Sequence, residues 1–107
     1  MLNLRRISGG LCLTDDKYTT LTDLKEIVKI FSEKRDWDQF HNAKDLTIGI
    51  VTESSELLQH FRFKSIKQVD EMFENENKRK EISEEMSDVL FFLVRLAQIY
   101  DIDLTTE

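Results

Sequence analysis

The sequence predicts an all-α fold, a helical bundle completed by self-association, and three observations carry that expectation. The 107 residues include no proline and only three glycines, so the usual breakers of long helices are missing. Apolar residues recur at helical rather than alternating spacing along three long stretches. The last of these, residues 89–99, is apolar nearly all round its axis. A helix apolar on every side must be covered on every side, which a bundle of three or four short helices does not manage alone. The length suits one domain. With 40% hydrophobic and 34% charged residues, the composition is that of a globular chain.

Residues 1–19 read as a loosely ordered arm or a leader ahead of a domain spanning residues 20–107. "MLNLRRISGGLCL" carries two arginines but no continuous apolar core, and Gly9 and Gly10 break it, so it is a poor signal peptide. The first helix starts at Thr20, which with Asp23 makes a capping box, and continues through Leu24, Ile27, Val28 and Phe31. The pattern lapses over "DWDQFHNAKD", a connection carrying aromatics. A second helix runs from about Lys44 to Phe61. Ser65 and Gln68 form another capping box for a short amphipathic piece whose apolar face is Ile66, Val69 and Phe73. A break at residues 75–77 precedes the final long helix, whose first half shows a narrow stripe of Ile82, Val89, Leu93 and Leu96.

A net charge of −6 argues against a duplex nucleic-acid binder, which needs a basic face to displace counterions. It leaves room for a nucleotide ligand, because a divalent cation reverses the local sign. Cys12 is the single cysteine, so no intramolecular disulfide forms, and a reducing cytoplasm is the default compartment. No apolar run reaches the roughly 18 residues a membrane span requires.

The acids are the unusual feature. At 100° per residue, Leu46, Ile50 and Leu57 fall within about 60° of Glu53, so Glu53 lies inside an apolar stripe, with Glu56 at its edge. Glu85 repeats the pattern among Ile82, Val89 and Leu96, with Asp88 at the edge. Glu81, one turn earlier, offers a fifth carboxylate. If the two helices pack through these stripes, both acid pairs converge. Converging carboxylates persist by taking up protons, by pairing with the protein's own cations, or by binding a metal. No basic residue recurs on the same faces of these helices. An all-oxygen site favours Mg²⁺, with Mn²⁺ as a substitute, over zinc. A di-iron centre would need Glu-x-x-His on two helices, whereas the last helix has no histidine and His60 stands four residues past Glu56. A lone Glu-x-x-Glu is usually a solvated face; two pairs, each with one member inside a core stripe, bring a metal site level with that reading.

Trp37, Phe40 and His41 crowd a short polar connection, where large rings either staple the loop to the core or offer a stacking surface for a base. Phe40 is expected in the core, Trp37 is balanced between the two roles, and His41 taken alone reads as a capping or surface residue. Phe61 and Phe63 end the second helix and can close the same pocket. Lys44, Arg62, Lys64 and Lys67 are candidate phosphate partners beside their default role as solvated surface.

Three blocks, "RDWDQFHNAKDL", "TESSELLQHFRF" and "EEMSDVLFFLVRLA", together resemble the MazG-like all-α nucleoside triphosphate pyrophosphohydrolases, nearest to the dCTP pyrophosphatase branch. The likeness covers about residues 21–104. The family signature, Glu-x-x-Glu on one helix and Glu-x-x-Asp on a later one, is matched by Glu53, Glu56, Glu85 and Asp88. The resemblance implies a four-helix fold and four acids that hold Mg²⁺, with Glu53 or Glu56 as general base. It implies attack of water on the α-phosphorus, giving a nucleoside monophosphate and pyrophosphate, as pool cleansing with dCTP-like substrates. Trp37, His41, Lys44, Phe61 and Phe63 are then the substrate-binding candidates. It also implies a dimer-based assembly, often a tetramer. The chain departs from the branch at Phe63, often tryptophan, at Val28, a base-contacting histidine, at Ala43, commonly proline, and at Asp45, asparagine. The family continues into a phosphate-binding segment with Lys, Asn, Arg and Tyr; this sequence ends at Glu107, so either that segment is cut off or other residues take over its task, with Lys44 and Arg62 as candidates. A non-catalytic oligomeric helical module, working through residues 89–99, is the alternative.

Overall fold

The computed structural model describes residues 15–107 and contains four α-helices and, among the described residues, no strand. They are α1 (Leu21–Lys34), α2 (Ala43–Gln59), α3 (Ile66–Met72) and α4 (Glu76–Ile99), with a short 3₁₀ turn at Trp37–Gln39. Residues 1–14 of the expected arm, including Cys12, lie outside the described residues. Residues 15–19 form a turn in which the Asp15 carboxylate accepts from the backbone of Lys17 and Tyr18.

Each helix starts where a side chain takes up backbone donors that have no partner within the helix. Thr20 and Asp23 cap α1 reciprocally, and Ser65 and Gln68 do the same for α3. Asn42 caps α2 by accepting from Asp45 N–H, and Asn75 caps α4 by accepting from Lys78 N–H. The expected break at residues 75–77 is therefore the entry to α4, whose first turn starts at Glu76.

α4 is the central element: α2 lies along one side of it and α1 along another. The Tyr100 hydroxyl accepts from Ala43 N–H at 3.0 Å, joining the end of α4 to the start of α2. The two helices thus run antiparallel. The core between α1 and α4 is Ile27, Val28, Phe31, Phe91 and Val94, with Leu24, Trp37, Leu90 and Phe92 packed around it. Phe31 holds Phe91 and Trp37 edge-on at 5.8 and 5.4 Å. Trp37 therefore staples the connection to the core, while Phe40, expected inside, is 61% exposed. One ring satisfies the space beside Phe31, and the tight 3₁₀ turn leaves the other facing outward. No helix among the described residues is long and apolar enough to cross a membrane.

Candidate metal and nucleotide site

Antiparallel packing carries the glutamates of α2 to those of α4. One carboxylate oxygen each from Glu53, Glu56 and Glu85 lie within 4.8 Å of one another. That is close to the ~4.2 Å separating opposite ligands of an ion bonded at ~2.1 Å. Gly49, one turn before Glu53, is what lets the helices approach here. A Cβ on it would stand 2.9 Å from the Phe92 ring of α4, closer than carbon atoms tolerate. Glycine inside a helix costs about 1 kcal/mol relative to alanine, so the close approach is maintained against local propensity.

Glu53 Oε2 and Glu85 Oε2 are both buried and have no hydrogen-bond partner among the described residues. Among the described residues, none of these three glutamates is ion-paired with a lysine or arginine. Burial pushes Glu53 up to about 7, helped by the charge of Glu56 and then of Asp88. Burial also raises Glu85, with Glu56 next in effect and Asp88 contributing. Asp88 is itself buried and lies outside the 4.8 Å triple, acting on both glutamates through space. Two orphaned carboxylate oxygens in an all-oxygen cluster fit a hard divalent cation: the residues present suit Mg²⁺ or Mn²⁺ and supply no nitrogen or sulfur ligand for zinc.

Beside the cluster opens a cleft of about 460 Å³, lined by Glu56, Gln59, His60, Lys64, Lys78 and Glu85. Lys64 is one of the cations expected to meet phosphates. Gln59 is not anticipated from residue type, and the expectation that no basic residue shares the acids' faces fails at Lys78, which stands seven residues before Glu85, two full turns on the same face of α4.

The other candidates are dispersed. Phe61 stacks on Phe73 at 5.9 Å just past the end of α2. Phe63 is 92% exposed with φ of 66°, and the Arg62 guanidinium lies over its ring at 4.6 Å. Lys44 sits exposed in the first turn of α2, about 13 Å of helix rise from Glu53. Trp37 and His41 pack edge-on at 5.7 Å at that same far end. There His41 Nδ1 accepts from Arg95 Nε at 2.9 Å, while Asp38 and Gln98 take up the rest of the guanidinium. Burial and then the Arg95 charge hold His41 below its ordinary value. A single chain thus gathers Glu53, Glu56, Glu85 and Asp88, keeps Phe61 and Phe63 at the near end of α2, and leaves Trp37, His41 and Lys44 at the other. Val28, where the branch has a base-contacting histidine, is fully buried in the core.

No protein-family model matches the chain. Curated proteins do. dCTP pyrophosphatase 1 of Rattus norvegicus is 36% identical over 85 residues, covering 79% of this chain and 50% of that protein. The Mus musculus protein of the same name gives the same figures, and that of Homo sapiens is 35% identical over the same shares. The chain spans about half the length of the curated relatives it matches. An all-helical fold and these relatives fit the MazG-like family of nucleoside triphosphate pyrophosphohydrolases that the three sequence blocks resemble. Within that family the likeness runs to the dCTP pyrophosphatase branch.

Proposed function

We propose that this chain carries out Mg²⁺-dependent hydrolysis of deoxynucleoside triphosphates, with dCTP-like molecules as substrates, to a nucleoside monophosphate and pyrophosphate. The observation that carries this reading is the pair of buried carboxylate oxygens, Glu53 Oε2 and Glu85 Oε2, that have no hydrogen-bond partner among the described residues. Leaving such atoms unpaired costs roughly 1–3 kcal/mol each, and more when charged, which a protein does not sustain without return. Relatives named dCTP pyrophosphatase 1 support the same class of substrate.

Glu53, Glu56, Glu85 and Asp88 would hold the cation. When bound, Mg²⁺ neutralises phosphate oxygens and offsets the charge of the acids themselves. Glu53 or Glu56, whichever faces the attacking water, takes its proton as the water oxygen bonds to the α-phosphorus. The bond from that phosphorus to the bridging oxygen breaks, and pyrophosphate leaves with its electron pair. Phe61 and Phe63, at the end of α2 nearest the acids, stack on or enclose the base. Trp37, His41 and Lys44 would reach a nucleotide from a second copy of the chain. Self-association, dimer-based and completed as a tetramer, is supported by an open groove of about 600 Å³ lined mainly by Leu57, Met86, Val89, Leu90 and Leu93. The work is pool cleansing in a reducing cytoplasm.

The test is a panel of the common ribo- and deoxynucleoside triphosphates with Mg²⁺, following pyrophosphate against orthophosphate. Pyrophosphate as first product, greatest with dCTP, is expected; orthophosphate first would mean that a different bond is cut. The same apolar groove favours one other reading, a non-catalytic oligomeric module. Thermal melting separates the two: a catalytic site is stabilised by Mg²⁺ and further by a nucleotide, whereas an interaction module responds to neither.

A further inference from the structure

We infer that Lys64 and Lys78 bind the two outer phosphates of the triphosphate, so that they select for a polyphosphate tail rather than for a nucleotide as such. This rests on the functional reading above.

The cleft beside the acids is chemically divided. Of its six lining residues, Glu56 and Glu85 belong to the acid cluster, Lys64 and Lys78 are cations, and Gln59 and His60 supply neutral polar groups. Its volume of about 460 Å³ falls in the range of small-molecule sites. Carboxylates alone repel a polyanion, and a cation held on them offsets only the phosphate nearest to it. A cleft that takes a longer anionic tail needs positive charge further out. Lys78 meets that need by its register. It is seven residues before Glu85 on α4, which places it about 10 Å along the same helix face. A chain of phosphates starting at the acids runs toward it, and a lysine stem covers the remainder. Lys64 comes from the turn between α2 and α3 and lines the same space.

Neither lysine is locked elsewhere. Lys78 Nζ pairs with Glu81 at 3.3 Å, with both side chains about half exposed. Such a pair is worth about 0–1 kcal/mol and yields to a phosphate, for which a lysine is a ready point charge. The other cations expected to meet phosphates are placed differently. Arg62 is laid over Phe63, Lys44 stands at the opposite end of α2, and Lys67 is not among the cleft's lining residues.

The experiment compares wild type, Lys64→Ala, Lys78→Ala, the double variant and Lys78→Arg. It measures calorimetric affinity for inorganic pyrophosphate with Mg²⁺ and for dCMP with Mg²⁺, alongside kinetics with dCTP. Each alanine variant is expected to weaken pyrophosphate binding and raise KM for dCTP about tenfold, or about 1.4 kcal/mol. dCMP affinity and the Mg²⁺ thermal shift stay at wild-type values, and Lys78→Arg recovers most of the loss. Lys80→Ala removes one charge from the same helix outside the cleft lining and should change nothing. Equal losses for dCMP and pyrophosphate, or a double variant that binds pyrophosphate as tightly as wild type, would overturn the assignment. A wild type that hydrolyses triphosphates but binds no pyrophosphate would overturn the assignment alone. A wild type that does neither would overturn the functional reading as well.

Discussion

The middle of α4 and its C-terminal end hold charge in opposite ways. Near its middle, Glu85 meets Glu53 and Glu56 of α2, like charges at close range with two carboxylate oxygens that have no hydrogen-bond partner among the described residues, and Asp88 adds its charge through space. Ten residues on from Glu85, Arg95 is deeper, 2% exposed, yet every edge of its guanidinium is occupied by His41, Asp38 or Gln98. A closed network of opposite and neutral partners is what a protein builds to stabilise itself. An open cluster of one sign is what it keeps for something not its own. Sharing a helix, the two regions make an internal control for one another.

The largest expected effect breaks the comparison at its open end. Glu53→Gln and Asp88→Asn should each lower pyrophosphate release about 10²–10⁴-fold, the range a positioned acid or base supplies, with helicity by circular dichroism unchanged. A fully active variant of either kind removes the acids from the mechanism. The same substitutions at the closed end should act on stability instead. Asp38→Ala leaves the buried Arg95 charge with only neutral partners. It should cost about 1–2 kcal/mol in urea unfolding, between an exposed pair and a buried one, because Asp38 is itself 59% exposed and His41 and Gln98 remain. A loss below about 0.5 kcal/mol, the size of a surface pair, would make that network incidental.

This difference was only half legible in the sequence. Glu53 and Glu85 announce themselves because helical periodicity is local: seven neighbouring residues suffice to show a carboxylate inside an apolar stripe. The helix starts at Thr20 and Ser65 were readable for the same reason, since a capping box is written within four residues. Arg95 carries no such mark. Its partners Asp38 and His41 lie more than fifty residues away in the chain, in a connection whose path depends on α1 meeting α4. Phe40 was misplaced by the same limitation: two rings three residues apart compete for one space beside Phe31, and only the turn decides that Trp37 takes it. Lys78 was missed because an exposed lysine in a first turn is the commonest of surface residues, and only the cleft distinguishes it.

The two regions should also respond to pH with opposite sign. Glu53 is raised to about 7, so the metal-free fold binds more protons than the unfolded chain between the ordinary carboxylate range and that value. Its contribution to stability is full below the ordinary value and is lost as pH rises through about 7. A cation must displace that proton. The Mg²⁺-induced rise in Tm should therefore be larger at pH 8 than at pH 5.5, by about 5 °C for each kcal/mol of added stabilisation. His41 is lowered, so its contribution is present above its ordinary value of about 6.5 and is lost as pH falls below it. An NMR titration should find its imidazole titrating below 6.5 with or without Mg²⁺. A Mg²⁺ shift that does not vary with pH would mean that the glutamates are already ionised, and the two regions would no longer be distinguished by proton uptake.

The smallest effect concerns Phe63, the most exposed large ring among the described residues, held at a left-handed φ of 66°. A non-glycine residue in that conformation costs roughly 1–2 kcal/mol, offset only in part by the Arg62 guanidinium over the ring, a contact worth about 0.5–1 kcal/mol at an exposed site. In the metal-free, nucleotide-free protein, Phe63→Gly should therefore stabilise the fold by about 0.5 kcal/mol at most, after the extra chain entropy of glycine and the lost contact with Arg62 are deducted. Strain kept at such a site implies a use for the ring elsewhere, and the turn it occupies joins the acid-bearing end of α2 to Lys64 and the cleft. The variant should thus pair its gain in Tm with a rise in KM of about tenfold, a loss of about 1.4 kcal/mol of binding, and with little change in kcat. A gain in stability with KM unchanged would mark the backbone strain as incidental and take Phe63 out of the base pocket, leaving Phe61, already stacked on Phe73, as the aromatic wall on that side.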